Sequence, residues 1–163
     1  MQPGAKAMTD NTTPIKGTGT QFLMAKIAGK VKPDPSSSVD VLRLAQVTDI
    51  TPPEMSAEAS EENYLDAEDP QWKEKSAGQI DPGELGITLA WKPGDANQTT
   101  MVNQLGGEPR WFFIKFPNGA YDAHYGFVSK VGKAIPAKEK ITRTFGITLT
   151  GKQALAEHTY QGG

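Results

Sequence analysis

Residues 111–127 read WFFIKFPNGAYDAHYGF, and the spacing of apolar and turn-forming residues in this stretch decides the fold. Successive side chains of a strand point to opposite faces. Phe112, Ile114 and Phe116 therefore share one face and Trp111 and Phe113 the other, so the strand is apolar on both sides and needs cover on both. Pro117, Asn118 and Gly119 are turn residues, and the pair Asn118-Gly119 predicts a type I′ hairpin with φ > 0 at both positions. The chain returns through Tyr121, Ala123, Tyr125 and Phe127, with Asp122, His124 and Gly126 opposite.

Working outward, Ile141, Arg143, Phe145, Ile147 and Leu149 alternate with threonines and Gly146, the pattern of a third, half-buried strand. Upstream, Gln21 to Ala28, Val39 to Ile50 and Glu84 to Trp91 read as further strands, the first two separated by a loop rich in Pro and Ser. One short helix is expected after Asp95. Asp95 is a good N-cap, Gln98 can complete a capping box, Met101, Val102 and Leu105 form an apolar stripe for the core, and Gly106-Gly107 ends the helix. The whole is mainly β with one helical cover.

The chain has 163 residues, the length of one domain with a real core. It contains no cysteine, which removes disulfides, thiolate metal sites and thiol catalysis. No apolar run approaches the roughly 20 residues of a membrane-spanning helix, and the start lacks the layout of a secretory signal, so membrane insertion by this chain is not expected. A net charge of −2 argues against a sequence-reading nucleic-acid binder.

Catalytic readings are weak. Of the two histidines, His158 lies in a polar tail and His124 on a strand beside aromatic residues, with only Asp122 on the same face; metal or general-base chemistry needs more convergent ligands. Gly17-Thr18-Gly19-Thr20 is preceded by no strand and followed by no Gly-Lys-Ser/Thr, so it reads as an arm entering the first strand. No enzyme activity, cofactor or metal is expected.

Charge is distributed unevenly. Glu54, Glu58, Glu61, Glu62, Asp66, Glu68 and Asp69 follow one another with no Lys or Arg between them, whereas Arg110 to Lys152 is strongly basic. Two solvated surfaces that never meet would account for this. The alternative is that the acidic segment of one subunit docks on the basic segment of a neighbour, charge complementarity setting the register. The acidic run falls in Thr51–Pro82, a segment with four prolines that reads as a long loop, yet it carries Tyr64, Leu65, Trp72 and Ile80. The candidate self-assembly residues are Glu61, Glu62, Tyr64, Leu65, Asp66 and Trp72. The candidate basic docking segment is Lys130, Lys133, Lys138, Lys140 and Arg143.

The strings VLRLAQVTDITPPEMSAEASEENYLDAEDPQW (Val41 to Trp72), KSAGQIDPGELGITLAWKPG (Lys75 to Gly94) and FPNGAYDAHYGFVSKVGKAIPAKEKITRT (Phe116 to Thr144), with the closing TGK (Thr150 to Lys152), resemble the major tail tube protein of lambda-like long-tailed bacteriophages. The similarity runs from about Lys16 to Lys152. It implies a β-sandwich flanked by one α-helix, related to type VI secretion tubes, that assembles into hexameric rings sharing an inner β-barrel and stacking into a hollow conduit for DNA. It implies residues 1–15 as a flexible N-terminal arm, 16–152 as the tube domain with an assembly loop over 51–82, and 153–163 as a C-terminal tail. Lambda's own protein carries a further immunoglobulin-like domain after the tube domain, whereas only Gln153 to Gly163 follows here, which puts an outer decoration of this tube in doubt. The implied partners are further copies of the chain, the tail-tip initiator, tape measure and tail terminator proteins, and double-stranded DNA in transit. The implied location is the virion tail, with assembly in the host cytoplasm. The competing classes are a type VI-like secretion tube protein and a monomeric β-sandwich binding module.

Overall fold

The computed structural model describes residues 16–62 and 71–159. The strands are β1 (Gln21–Ala25), β2 (Val41–Leu44), β3 (Val47–Thr51), β4 (Ser56–Glu62), β5 (Glu74–Asp81), β6 (Glu84–Ala90), β7 (Arg110–Lys115), β8 (Tyr121–Ala134) and β9 (Thr142–Leu149). Two helices, α1 (Ala96–Val102) and α2 (Ala156–Thr159), complete the elements. Seven strands form one antiparallel sheet in the order β2-β1-β7-β8-β9-β6-β3, and β4 pairs only with β5.

The sheet folds into two layers because β8 changes partner along its length. Tyr121 to Gly126 pair with β7, and Gly126 to Ala134 pair with β9, with a bulge between Val128 and Lys130. A strand that passes from one layer to the other through a bend or bulge makes the corner of a sandwich. Gly126 is the residue shared by both pairings, and a Cβ there would collide with the Thr148 carbonyl. The second corner lies between β2 and β3. These are the two edge strands, yet only Ala45 and Gln46 separate them in the chain, and Gln46 takes a left-handed φ of 59°. The expected strand Val39 to Ile50 is thus broken in two: its first half belongs to one layer and its second half to the other.

The interior between the layers contains Phe22, Met24, Leu85, Ile87, Leu89, Phe112, Ile114, Val128, Phe145 and Ile147. Phe22 and Phe112 stack with their ring centroids 5.9 Å apart. Side chains of this size each contribute about 2–3 kcal/mol when removed from water. Met101 of α1 closes the core. Asp95 caps the helix as expected, accepting from the Asn97 N–H, but Gln98 completes no capping box. It is buried and reaches back to the end of β6, its Nε2 donating to the Ala90 carbonyl (2.9 Å) and its Oε1 accepting from Lys92 N–H (3.0 Å). Leu105 is exposed, because the helix stops at Val102 and the stripe ends before reaching it.

The opposite face of β7 and β8 is covered by the same chain. Leu23, Val41, Phe113 and Ala123 form a second buried cluster, with Trp111, Tyr121 and Ala154 against it. Trp111 Nε1 donates to the Lys30 carbonyl (2.9 Å), which holds the β1–β2 loop over this face. Ala154 pairs with Ala123, and Gln153 is buried, its Oε1 accepting from Tyr125 N–H at 2.7 Å. The polar tail expected after Lys152 is therefore packed onto β8 as far as α2. Residues 1–15 lie outside the described residues, and Gly17 to Thr20 form a turn leading into β1.

The β7–β8 turn differs from the type I′ hairpin expected. The Phe116 carbonyl accepts from Gly119 N–H (3.0 Å) and Phe116 N–H donates to Ala120 (2.8 Å), so the loop has three residues. Only Gly119 is left-handed (φ 92°). The turn begins one residue earlier than expected, at Phe116, which makes Pro117 its first central residue; a φ locked near −65° suits a type I turn there, and Asn118 is not left-handed.

Candidate assembly interface

The segment read as a long loop is a β-hairpin arm. β4 and β5 pair from Ser56↔Asp81 to Glu62↔Glu74. The described side chains of both strands are exposed, because the sequence supplies Ser, Ala, Glu and Gly in place of the apolar alternation that would bury one face. Absence of that alternation is why the sequence read as a loop. The arm leaves the sandwich between β3 and β6, and among the described residues Trp72 and Ile80 are its exposed large apolar side chains.

The candidate self-assembly residues fall as follows. Glu61 forms an ion pair with Lys73 at 3.1 Å within the arm, both largely in solvent. Glu62 stands opposite Glu74 in the ladder. Trp72 lies just before β5. Tyr64, Leu65 and Asp66 lie outside the described residues.

The five basic candidates come together on the β8–β9 hairpin, and three have partners in their own subunit. Lys130 pairs with Glu84 at 3.1 Å. Lys133 Nζ lies 3.7 Å from the Trp91 ring centroid, a cation–π contact. Arg143 Nη1 donates to the Gly132 carbonyl at 3.4 Å. Lys138 and Lys140 are exposed in the loop between the two strands. Arg110 is not a surface charge: it is buried, with Nη1 donating to Ala25 and Lys26 carbonyls and Nη2 to Gln104 Oε1 at 2.6 Å, so it clamps the start of the β1–β2 loop.

That loop holds what the sequence reading missed. Ile27, Val31 and Val39 are exposed, and Ile27, Val31 and Pro33 line an apolar groove of about 340 Å³. The signal was present as three β-branched residues placed among lysines, prolines and serines.

His124 is fully buried, and neither ring nitrogen has a hydrogen-bond partner among the described residues. Gln153 is nearby, but its carboxamide is already bonded to Tyr125, Thr150 and Gly151. Burial holds the imidazole below its ordinary value, while Asp122 and Gln153 act in the opposite direction. Burial raises the Asp122 carboxyl, against the hydrogen bond it accepts from Ala156 N–H (2.6 Å) and the field of His124, with Glu157 adding to the rise. Among the described residues no group of three or more His, Asp or Glu side chains is placed to hold a metal ion.

Comparison with known proteins gives a consistent picture. Residues 24–156 match the family model of the lambda phage tail tube protein. No curated protein sequence matches the chain. Among solved structures, a chain of the tail of an empty gene transfer agent particle, determined with C6 symmetry, superposes with a TM-score of 0.58 at 13% identity, over 83% of this chain and 94% of that one. A chain from the sheath/tube terminator of an extracellular contractile injection system gives 0.64 at 10% identity, over 88% and 97%. The SPP1 tail tube gives 0.51 at 15% identity, over 87% and 80%. At these identities the likeness is one of fold.

Proposed function

This chain belongs to the lambda phage tail tube protein family, and from that membership we propose that its copies close head to tail into hexameric rings stacked as the hollow tail tube through which double-stranded DNA leaves the particle. The observation that carries the reading is the β4–β5 arm, whose described side chains are exposed although an isolated two-stranded hairpin is marginal in water. Such an element is worth its ordering entropy when a neighbouring subunit covers it. The edge strands β2 and β3 add to this. Among the described residues each has one unpaired side, and ring closure around an axis pairs or covers such edges. The C6 symmetry of the gene transfer agent tail supports six as the ring number.

Identical subunits joined head to tail give a closed ring when the rotation closes, and a second head-to-tail interface stacks the rings. The bore must let phosphates pass without holding them, so the basic residues belong in contacts or on the outside. The tube is a structural virion component. It would begin on a tail-tip initiator, enclose a tape measure protein and end on a terminator, with assembly in the host cytoplasm.

Negative-stain microscopy of the concentrated protein tests the reading, with long hollow tubes expected. The triple variant Glu61→Lys, Glu62→Lys, Asp66→Lys should remain folded and monomeric, since like charges placed against one another cost several kcal/mol per interface. Normal tubes from that variant overturn the role of the acidic arm, and a wild-type chain that stays monomeric at all concentrations overturns the polymer.

A further inference from the structure

Five of the seven exposed large apolar residues among those described fall in two places: Ile27, Val31 and Val39 in the β1–β2 loop, and Trp72 and Ile80 in the arm. The exposures are high, at 77% for Ile27, 89% for Val31, 77% for Trp72 and 69% for Ile80. The two surfaces do not cover each other within the subunit. The arm grows from between β3 and β6 of one layer, while the loop lies beside β1 and β2 of the other.

Their charges are opposite. The arm carries Glu54, Glu58, Glu61, Glu62, Glu74 and Asp81 against Lys73 and Lys75, whereas the loop carries Lys26, Lys30 and Lys32, interleaved with its apolar residues, against Asp34 and Asp40, the latter at the groove's edge, so the arm is net acidic and the loop net basic. The loop is also fixed in place before any partner arrives. Arg110 holds its first carbonyls, Trp111 holds the Lys30 carbonyl, and Gly29 N–H donates to Pro109 at 3.1 Å. A rigid apolar groove flanked by lysines fits an acidic hairpin that presents isolated apolar side chains. Lys26 and Lys32 have contacts of their own, with the Ser38 carbonyl (3.2 Å) and over the Tyr121 ring (5.7 Å), as Lys130 and Lys133 have with Glu84 and Trp91; what sets the β1–β2 loop apart is the apolar groove that its lysines stand beside.

We propose that the β4–β5 arm of one subunit seats on the Ile27–Val31 groove of the next, with the loop lysines against the arm's carboxylates. The inference rests on the polymer reading above and names the surface that receives the arm. Two different, complementary surfaces on one subunit make a heterologous interface, the kind that propagates a stack. Burying Val31 and Ile80 together supplies the affinity, and the charges set the register.

The full chain offers a clean test because it has no cysteine of its own. In the double variant Val31→Cys, Ile80→Cys, oxidation of assembled tubes should give a ladder of covalent multimers on a denaturing gel, and dilute monomer should give a single band. Tubes that form without a ladder, while the pair Lys138→Cys, Ile80→Cys does give one, overturn the proposal in favour of the β8–β9 hairpin and leave the tube reading intact. A wild-type chain that forms no tubes overturns both. Should the double variant not fold, the single variant Val31→Asp decides: it should raise the protein concentration needed for tubes by about tenfold or more with unchanged circular dichroism. Tubes at the wild-type concentration from Val31→Asp overturn the proposal.

Discussion

The backbone of Gly126 lies against the carbonyl of Thr148, so close that no Cβ can be placed between them, at the residue where β8 exchanges β7 for β9. The corner of the sandwich is therefore built on a side chain that is missing. An added methyl would also come within 2.9 Å of the Leu149 Cα, and both obstacles are backbone, which yields little. Gly126→Ala should cost about 1–3 kcal/mol or more by the usual penalty of overpacking. The control Gly94→Ala, at a position with open space around it, should change stability far less. Equal denaturation midpoints for the two variants would contradict the corner geometry.

The β7–β8 turn tests a different property of glycine. Gly119 has open space around it but a left-handed φ of 92°, so a substitution there is penalised by conformation and not by collision. Gly119→Val should lower stability by about 1–2 kcal/mol, and Gly119→Asn by less, because Asn tolerates the left-handed region. For a chain of this size each kcal/mol shifts the melting temperature by roughly 2–4 °C. Equal losses for Val and Asn would show that φ at this position is not what the turn requires.

Much of the fold was legible because its signals are local. The two-faced strand at Trp111–Phe116, the alternation through Leu149 and the Asp95 cap depend on neighbouring residues, and each stands where the sequence put it. The β2–β3 corner was not legible. Ala45-Gln46 carries no turn chemistry, and the change of layer is enforced by the partners of the two halves, with Ala90 N–H donating to Gln46 and Asn97 Nδ2 to the Arg43 carbonyl. The arm escaped for the opposite reason: it has strand geometry without a buried face, so no periodicity marks it. The partners of Lys130, Lys133 and Arg110 depend on distant chain segments, which is why all three read as equivalent surface charges.

Stability should fall in mild acid because of His124. Burial depresses its pKa in the folded state, so the unfolded chain takes up the proton more readily; stability is present above the unfolded value near 6.5 and is lost as pH falls through and below it. Asp122 acts with the opposite sign. Its carboxyl is raised by burial, so its ionisation weakens the fold at neutral pH, and stability is recovered as pH falls through that raised value towards the ordinary carboxylate value. Melting temperatures between pH 7.5 and 5.5 should therefore decline more steeply for the wild-type chain than for His124→Phe, which keeps the packing against its neighbours and cannot titrate. Parallel profiles would remove His124 as the cause.

The arm should be the least protected part of the free subunit and become protected on assembly. Its ladder hydrogen bonds are formed, but no described side chain of β4 or β5 is buried, so opening the hairpin exposes little new apolar surface and costs little free energy. β7 and β8, by contrast, carry buried residues on both faces, and their amides open only with the sandwich itself. Amide hydrogen exchange on the monomer should then show fast exchange over Ser56–Glu61 and Glu74–Asp81 and slow exchange over Trp111–Lys115. In tubes the arm amides should slow by orders of magnitude, because a covered hairpin opens only after its neighbour has been displaced. Ordering on contact would also keep free subunits from joining prematurely, since each addition must offset the entropy of fixing the arm, on the order of 1 kcal/mol per residue, before the groove of the next subunit returns it. Protection of the arm already present in the monomer would mean that the hairpin is stable by itself, and the coupling of its ordering to assembly would then be wrong.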